Sequence, residues 1–269
     1  MLNGFYELTD DFESVKIKTN YHTHTYLCGH AGGSVEDYVH AAMINGLEVL
    51  GMSDHFLPPV QSYEPYINFQ TLKTRYLSSI NSAKENYGGH IKILSAVEIE
   101  YFGGHSDYYK RLVDDLDYIV MGQHEFIHNG VRYNSFEDGT NEDVIIGYFK
   151  SVQKGLKTGF FSVLAHPDLI FYRKPEITKR IAKEFENTVR TAIDCGVALE
   201  LNANGIRSHG FRYPTDLLIE LCKKHNARVV VSSDCHSPDV LCGEHMLRLY
   251  DYAIKCGLNV TDNIKLKAV

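Results

Sequence analysis

Residues 15–30 read VKIKTNYHTHTYLCGH. Val15, Lys16, Ile17 and Lys18 alternate apolar and basic, the period of two that a half-buried strand needs. His22, His24 and His30 follow at once. A strand that runs out into imidazoles directs the reading of the whole chain, because apolar runs with polar ends recur along it. Strands are expected over 15–20, 49–53, 91–98, 118–122, 162–166, 198–202 and 228–233. Longer segments of helical period lie between them, which is the pattern of β/α units. Such a series closes into a barrel or lies open as a doubly wound sheet.

The helix after the first strand is the clearest. In SVEDYVHAAMINGL, Ser34 is an N-cap, acids fill the first turn, Val35, Tyr38, Val39 and Ala42 share a face, and Gly46 closes the segment. Further helices are expected over 69–87, 141–158, 175–195 and 214–226, the last two with proline near the first turn. The stretch FLPPVQSYEPY (56–66) is irregular and rich in proline and tyrosine, and reads as an active-site loop or lid.

Composition narrows the function. With 269 residues, 44% hydrophobic and 23% charged, the chain has an ordinary globular make-up, and one domain over 1–269 is expected. A net charge of -7 argues against sequence-independent nucleic-acid binding, which needs a basic footprint. No run of 18 apolar residues occurs, so no membrane-spanning helix is expected. The six cysteines form no C-x-x-C pair and no signal-like start is visible, so a reducing, cytoplasmic setting with free thiols is the expectation. Histidine, at 14 residues, is abundant, and tryptophan is absent.

The histidines and acids fall at C-terminal strand ends. His22 and His24 follow the first strand, His55 the second, and Glu98 ends the third. His124 follows the fourth, His166 ends the fifth, and Asp234 and His236 follow the seventh. Residues i and i+2 of an extended segment point to one side, so His22 with His24, and Asp234 with His236, each aim two donors into one space. Imidazoles suit zinc, manganese and iron, and carboxylates bridge cations, so the mixed set points to a hydrolytic multinuclear centre. Cys28 and Cys235 are out of step with the pairs and read as neighbours. Glu98 and Glu100 share a strand face, and spacing alone does not choose the bridging acid between them.

The motifs HTH (22–24), SDH (53–55), VEIE (97–100), GQHEF (122–126), AHPDL (165–169) and SDCH (233–236), in this order, resemble the polymerase-and-histidinol-phosphatase (PHP) superfamily. Within it, DYIVMGQHEF, LAHPDLIF and ELNANGIR are similar to the stand-alone histidinol-phosphate phosphatases. The resemblance implies a distorted (β/α)7 barrel, TIM-barrel-like, with three divalent metal ions (Zn, Mn or Fe) on its C-terminal rim. It implies that His22, His24, Glu98 and Asp234 hold one ion, and that Glu98 bridges to a second held by His124 and His166. His30, His55 and His236 would hold the third. The family pattern sets the bridging acid two residues after a small one, which favours Glu98 after Ala96. GQH stands where relatives often carry a hydroxyl-containing stretch, and His124 is preferred to His128 there.

The implied activity is hydrolysis of L-histidinol phosphate to L-histidinol and inorganic phosphate, in histidine biosynthesis, by direct attack of a metal-bridging hydroxide. The expected partner is that small phosphate ester, with neither nucleic acid nor membrane. A phosphate dianion calls for arginine, whose planar fork pairs two oxygens. Arg207, past the sixth strand, and Arg173, in the loop after AHPD, are the candidates, with Arg212 behind them. The leaving alkoxide needs a proton, for which Asp54 and His209 are candidates; Asp54 can equally orient its neighbour His55. His40, His90, His105, His128, His225 and His245 read as ordinary polar positions. YEPYINF (63–69) is a candidate wall for the substrate's imidazole and amine. Two alternatives stay open: a PHP-type phosphatase acting on another small ester or nucleotide, and a non-catalytic metal-binding module.

Overall fold

The computed structural model describes residues 2, 5, 15–60, 66–210 and 212–267. In chain order its elements are β1 Thr19–Asn20, α1 Val35–Ile44, β2 Val49–Met52, α2 Phe69–Thr71, a π-helical turn Leu72–Tyr76 that runs into α3 Leu77–Tyr87, β3 Lys92–Ser95 and β4 Glu98–Ile99. There follow α4 Ser106–Asp115, β5 Val120–Met121, the hairpin strands β6 Glu125–His128 and β7 Val131–Asn134, α5 Glu142–Leu156, β8 Val163–Leu164 and α6 Lys179–Asp194. The chain ends with β9 Ala198–Asn202, α7 Ala203–Arg207, α8 Asp216–His225, β10 Arg228–Ser232, α9 Glu244–Lys255 and β11 Asn259–Val260.

The strands form two parallel sheets, β1-β2-β3 and β11-β10-β9-β8-β5-β4. Two bridges join them into a distorted (β/α)7 barrel. Thr23, just past β1, pairs with Cys235, just past β10, and His24 N–H donates to Cys235 C=O at 3.0 Å. On the other side His55, past β2, pairs with Glu98, and Phe56 N–H donates to Glu98 C=O at 2.9 Å. Both seams lie at the strand ends that carry the histidines, so closure of the barrel and assembly of the site are one event.

Strand side chains alternate between the barrel interior and the helices outside. Tyr21, Leu94, Ala96, Tyr118, Val120, Val163, Ala165, Ala198 and Val230 form a compact inner cluster, and a larger apolar layer packs the strands against the helices. Ile264 and Leu266 lie against the inner cluster from the end opposite the histidines. β11 pairs with the start of β10, and Tyr21 hydroxyl donates to Asp262 C=O at 2.7 Å. The C-terminal segment therefore stoppers the bottom, leaving the top as the way in.

The expected elements differ from the observed ones in places that have local causes. Only Thr19–Asn20 of the expected 15–20 strand is laddered, although Ile17 is buried in the core. The expected 91–98 strand breaks at Ala96-Val97, where the chain leaves β2 and reaches β5. Helices expected from 175 and 214 start at Lys179 and Asp216, because Thr178 and Thr215 cap them by accepting from Ile181 N–H and Leu218 N–H. Of the tract expected to form a lid, residues 61–65 lie outside the described residues.

Asp117 links helix to sheet beneath the barrel. It accepts from Lys84 Nζ at 2.8 Å and from Ser95 N–H and Oγ at 2.8 and 2.9 Å. Burial pushes its carboxyl up, but these donors hold it below the usual range. Asp117→Ala should lower the unfolding free energy in urea by about 1 kcal/mol, a low figure because the side chain is partly exposed and solvent-screened. A depressed carboxyl stabilises above its unfolded pKa of about 3.9. The difference between wild type and variant should therefore vanish as pH falls through the folded value.

Candidate metal centre

Glu98 is the centre of the site. It opens β4, is almost wholly buried, and points its two carboxylate oxygens at different sets of imidazoles. Oε2 lies 3.3 Å from His22 Nε2, 3.6 Å from His24 Nε2 and 3.0 Å from His55 Nδ1. Oε1 lies 3.0 Å from His166 Nε2 and 3.4 Å from His124 Nε2. Asp234 Oδ1 closes the first set, at 3.0 Å from His24 Nε2 and 3.5 Å from His22 Nε2. Toward the rim, His30 and His236 face each other with Nε2 atoms 3.1 Å apart, and the His30 ring stacks on His55.

Three groups of donors thus stand within reach of single cations: His22, His24 and Asp234; Glu98, His124 and His166; His30, His55 and His236. His24, His55 and Glu98 form another such group, as do His24, Cys28 and His236. Cys28 is buried, and burial pushes its thiol up to about 12. A thiol held so firmly is a poor ligand.

Metal ions suit this arrangement on two counts. First, His22 Nε2, both ring nitrogens of His24 and His166 Nδ1 are buried without a hydrogen-bond partner. Orphaned buried polar atoms are costly, and a cation on the lone pairs of His22 and His24 removes that cost. Second, the site combines ionised carboxylates with several imidazoles held neutral, the forms in which these side chains ligate a cation. Burial pushes Glu98 and Asp234 up, yet surrounding imidazoles, His22 foremost, hold both carboxyls well below their usual range. Burial lowers His24, His30 and His236, with neighbouring imidazoles adding to the effect on His24 and bringing His30 down to about 4. Burial also disfavours charge on His124, but Glu98 and Glu100 outweigh it and bring that imidazole up to about 9.

Backbone strain marks the same place. His166 and Asp234 sit at φ 28° and 44°, in the left-handed region that side chains other than glycine rarely enter. Such residues cost on the order of 1–3 kcal/mol and persist where their surroundings over-determine them.

Supporting residues orient the imidazoles from behind. Glu100 Oε1 is 3.0 Å from His124 Nδ1, which turns Nε2 of that ring toward Glu98. Of the two candidate acids, Glu98 therefore sits among the imidazoles and Glu100 behind one of them. Glu200, in β9, lies 2.8 Å from His22 Nδ1. Asn202 Nδ2 donates to Glu200 at 2.8 Å and to Asp234 Oδ2 at 3.1 Å. Glu200 and Asn202 are not among the site residues expected from sequence; the available signal was a carboxylate and an amide within the strand 198–202, inside the ELNANGIR motif.

A cavity of 570 Å³ opens over the imidazoles, lined among others by Tyr66, Glu100, Glu125, Phe136, Arg207 and His209. Arg207 stands on its wall, with Nη2 donating to Asn204 Oδ1 at 2.9 Å. His209 stacks near Tyr213 and lies 3.4 Å from Tyr172 hydroxyl. Two expected residues fall elsewhere. Asp54 is fully buried and spends both oxygens on Thr25, at 2.5 Å from its N–H and 2.6 Å from its hydroxyl, so it braces the His24 and His55 loops rather than facing the cavity. Arg173 is exposed, outside the cavity lining, because the chain turns outward after residues 169–171. Arg212 lies over the Tyr172 ring at 5.6 Å, and His128 pairs with Asp143 at 2.8 Å, away from the imidazoles. Of the YEPYINF tract, residues 63–65 lie outside the described residues, and Tyr66 stacks on His55 with centroids 5.0 Å apart.

The PHP domain family model matches residues 20–204. A protein named "Probable histidinol-phosphatase" from Schizosaccharomyces pombe is 26% identical, over 88% of this chain and 86% of its own. Another of that name from Deinococcus radiodurans is 23% identical, over 81% of this chain and 85% of its own. Among solved structures, histidinol phosphate phosphatase from Lactococcus lactis, complexed with zinc, L-histidinol and phosphate, superposes with a TM-score of 0.67. That likeness carries 18% identity and covers 90% of this chain and 95% of the other. With more than half of its length matched by the family model, the chain belongs to the PHP domain family.

Proposed function

We propose that the chain is a metal-dependent phosphomonoesterase that hydrolyses L-histidinol phosphate to L-histidinol and inorganic phosphate. The observation that carries this reading is Glu98, one buried carboxylate whose two oxygens face separate sets of imidazoles beneath an open cavity. His22, His24 and Asp234 would hold one ion, His124 and His166 a second, with Glu98 between them, and His30, His55 and His236 a third. Divalent cations held there would supply Lewis acidity and a water ionised near neutral pH. No covalent intermediate on the protein is invoked.

The chain's own residues bind and orient the ester. Arg207 grips the phosphate, with Asn204 holding its guanidinium by one nitrogen. Burial lowers the His209 imidazole, which keeps it neutral. Tyr172 hydroxyl lies 3.4 Å from Nδ1, and a ring that accepts from it there would carry its proton on Nε2 and offer it to the leaving oxygen as a hydrogen-bond donor. Tyr66, Phe136 and Tyr213 offer flat faces and Glu100 offers negative charge, which suits an imidazole and an ammonium. The relatives named histidinol-phosphatase support the same substrate.

A panel of L-histidinol phosphate, a sugar phosphate, a nucleotide, phosphotyrosine and p-nitrophenyl phosphate tests the assignment. L-histidinol phosphate should have the highest kcat/KM; a value no better than that of the generic esters overturns the substrate. No hydrolysis of any ester, with fewer than two ions per chain, points instead to a non-catalytic module. Arg207→Ala should raise KM about 10–100-fold, the worth of a charged hydrogen bond, and weaken inhibition by phosphate. Unchanged kinetics would move the phosphate clamp elsewhere.

A further inference from the structure

His22 is the innermost imidazole of the centre, wholly buried. Burial opposes its charge, but Asp234, Glu200 and Glu98 raise it well above its ordinary range. A cation must therefore displace one ring proton, and the ring that ligates keeps its other proton on one nitrogen or the other. Only a ring with the proton on Nδ1 leaves Nε2 free to meet a cation between Glu98 and Asp234. That choice is made by the partner of Nδ1, which is Glu200 Oε1 at 2.8 Å. Glu200 is itself inaccessible and locked: its Oε2 accepts from the His166 backbone N–H at 3.0 Å and from Asn202 Nδ2 at 2.8 Å. The same Asn202 nitrogen donates to Asp234 Oδ2, so one carboxylate on β9 fixes a ring, the strained backbone of His166 and, through Asn202, a second acid.

We propose that Glu200 is a positioning residue that sets the His22 tautomer and so controls cation affinity at the His22, His24 and Asp234 corner. The inference rests on the metal reading given under Proposed function. It predicts a result that shape alone does not. Glutamine has the outline of glutamate but only one acceptor oxygen. If that oxygen serves His166 N–H and Asn202, the amide NH2 faces His22 Nδ1 and drives the ring proton to Nε2, blocking the cation. If it serves His22, the NH2 meets two donors. Either way the corner is lost or loosened, while Arg207 and the cavity wall are untouched.

The test is zinc retention by the loaded full-length chain against a chromophoric chelator, read beside kinetics and a thermal melt. E200Q should release one zinc ion per chain about 10–100-fold more readily than wild type, the range for loss of such an orienting partner. Its kcat should fall while KM stays put. E200D, which keeps two acceptors at shorter reach, should fall between the two and recover part of kcat. Zinc release from E200Q equal to wild type overturns the inference. Should E200Q fail to fold, E200D decides alone, and release equal to wild type overturns the inference there too. A wild-type chain that holds no zinc overturns the metal reading itself, and the two failures are thereby told apart.

Discussion

Glu98→Gln is expected to lower kcat by at least about 10²–10³-fold, the cost of deleting one preorganised charge-stabilising group in an active site. The substitution changes no volume. It removes a negative charge shared by five imidazoles and puts an amide NH2 where one of two carboxylate oxygens stood. Whichever way the amide turns, either the His22, His24 and His55 side or the His124 and His166 side loses its acceptor. Ion content should drop with turnover, measured on protein prepared with the metal in excess. Asp234→Asn should act in the same direction by weakening the His22 and His24 corner. Turnover within tenfold of wild type in Glu98→Gln would mean that the carboxylate is not shared between cations.

Gly122→Ala should be nearly as damaging although residue 122 bears no donor atom. A Cβ there would overlap Glu98 Oε1 and stand 2.5 Å from Cδ. Neither partner has room to yield, since the glycine follows β5 and the carboxylate is enclosed by histidines. The methyl group must displace Glu98 or spread β4 from β5, and overpacking of this kind costs about 1–3 kcal/mol of stability besides the lost geometry. The expected result is a folded protein with a lowered melting temperature, reduced ion content and kcat down at least tenfold, roughly 1.4 kcal/mol of barrier. Wild-type ion content and rate in Gly122→Ala would show that Glu98 has slack, contrary to the rigid bridge proposed for it.

The comparison between sequence and structure is instructive at the same residues. The order of motifs was legible because strand ends in a β/α series must share one rim, so His22, His24, His55, Glu98, His124, His166, Asp234 and His236 could be gathered before any coordinates. Arg207 and His209 were legible for the same reason, since they follow the sixth strand. Arg173 was not, because proximity in sequence to a motif does not fix the direction of a side chain; of the two roles open to Asp54, its contacts with Thr25 favour the orienting one. Arg173 follows a short 3-10 turn that carries it outward, and Asp54 points back to Thr25, tying the loop after β2 to the loop after β1.

The sequence by itself determined the alternation of apolar strands and amphipathic helices, and the placing of metal-seeking side chains at one end of them. Those features repeat with local period and need only a few neighbours to be read. The tertiary structure alone decided that the sheets close through the Thr23–Cys235 and His55–Glu98 bridges and that Glu200 stands behind His22, while the choice of Glu98 over Glu100, open on spacing but favoured by the family pattern, agrees with Glu98 lying among the imidazoles. His22 and Glu200 are 178 residues apart in the chain, and contact at that separation depends on barrel closure, strand register and side-chain packing acting together.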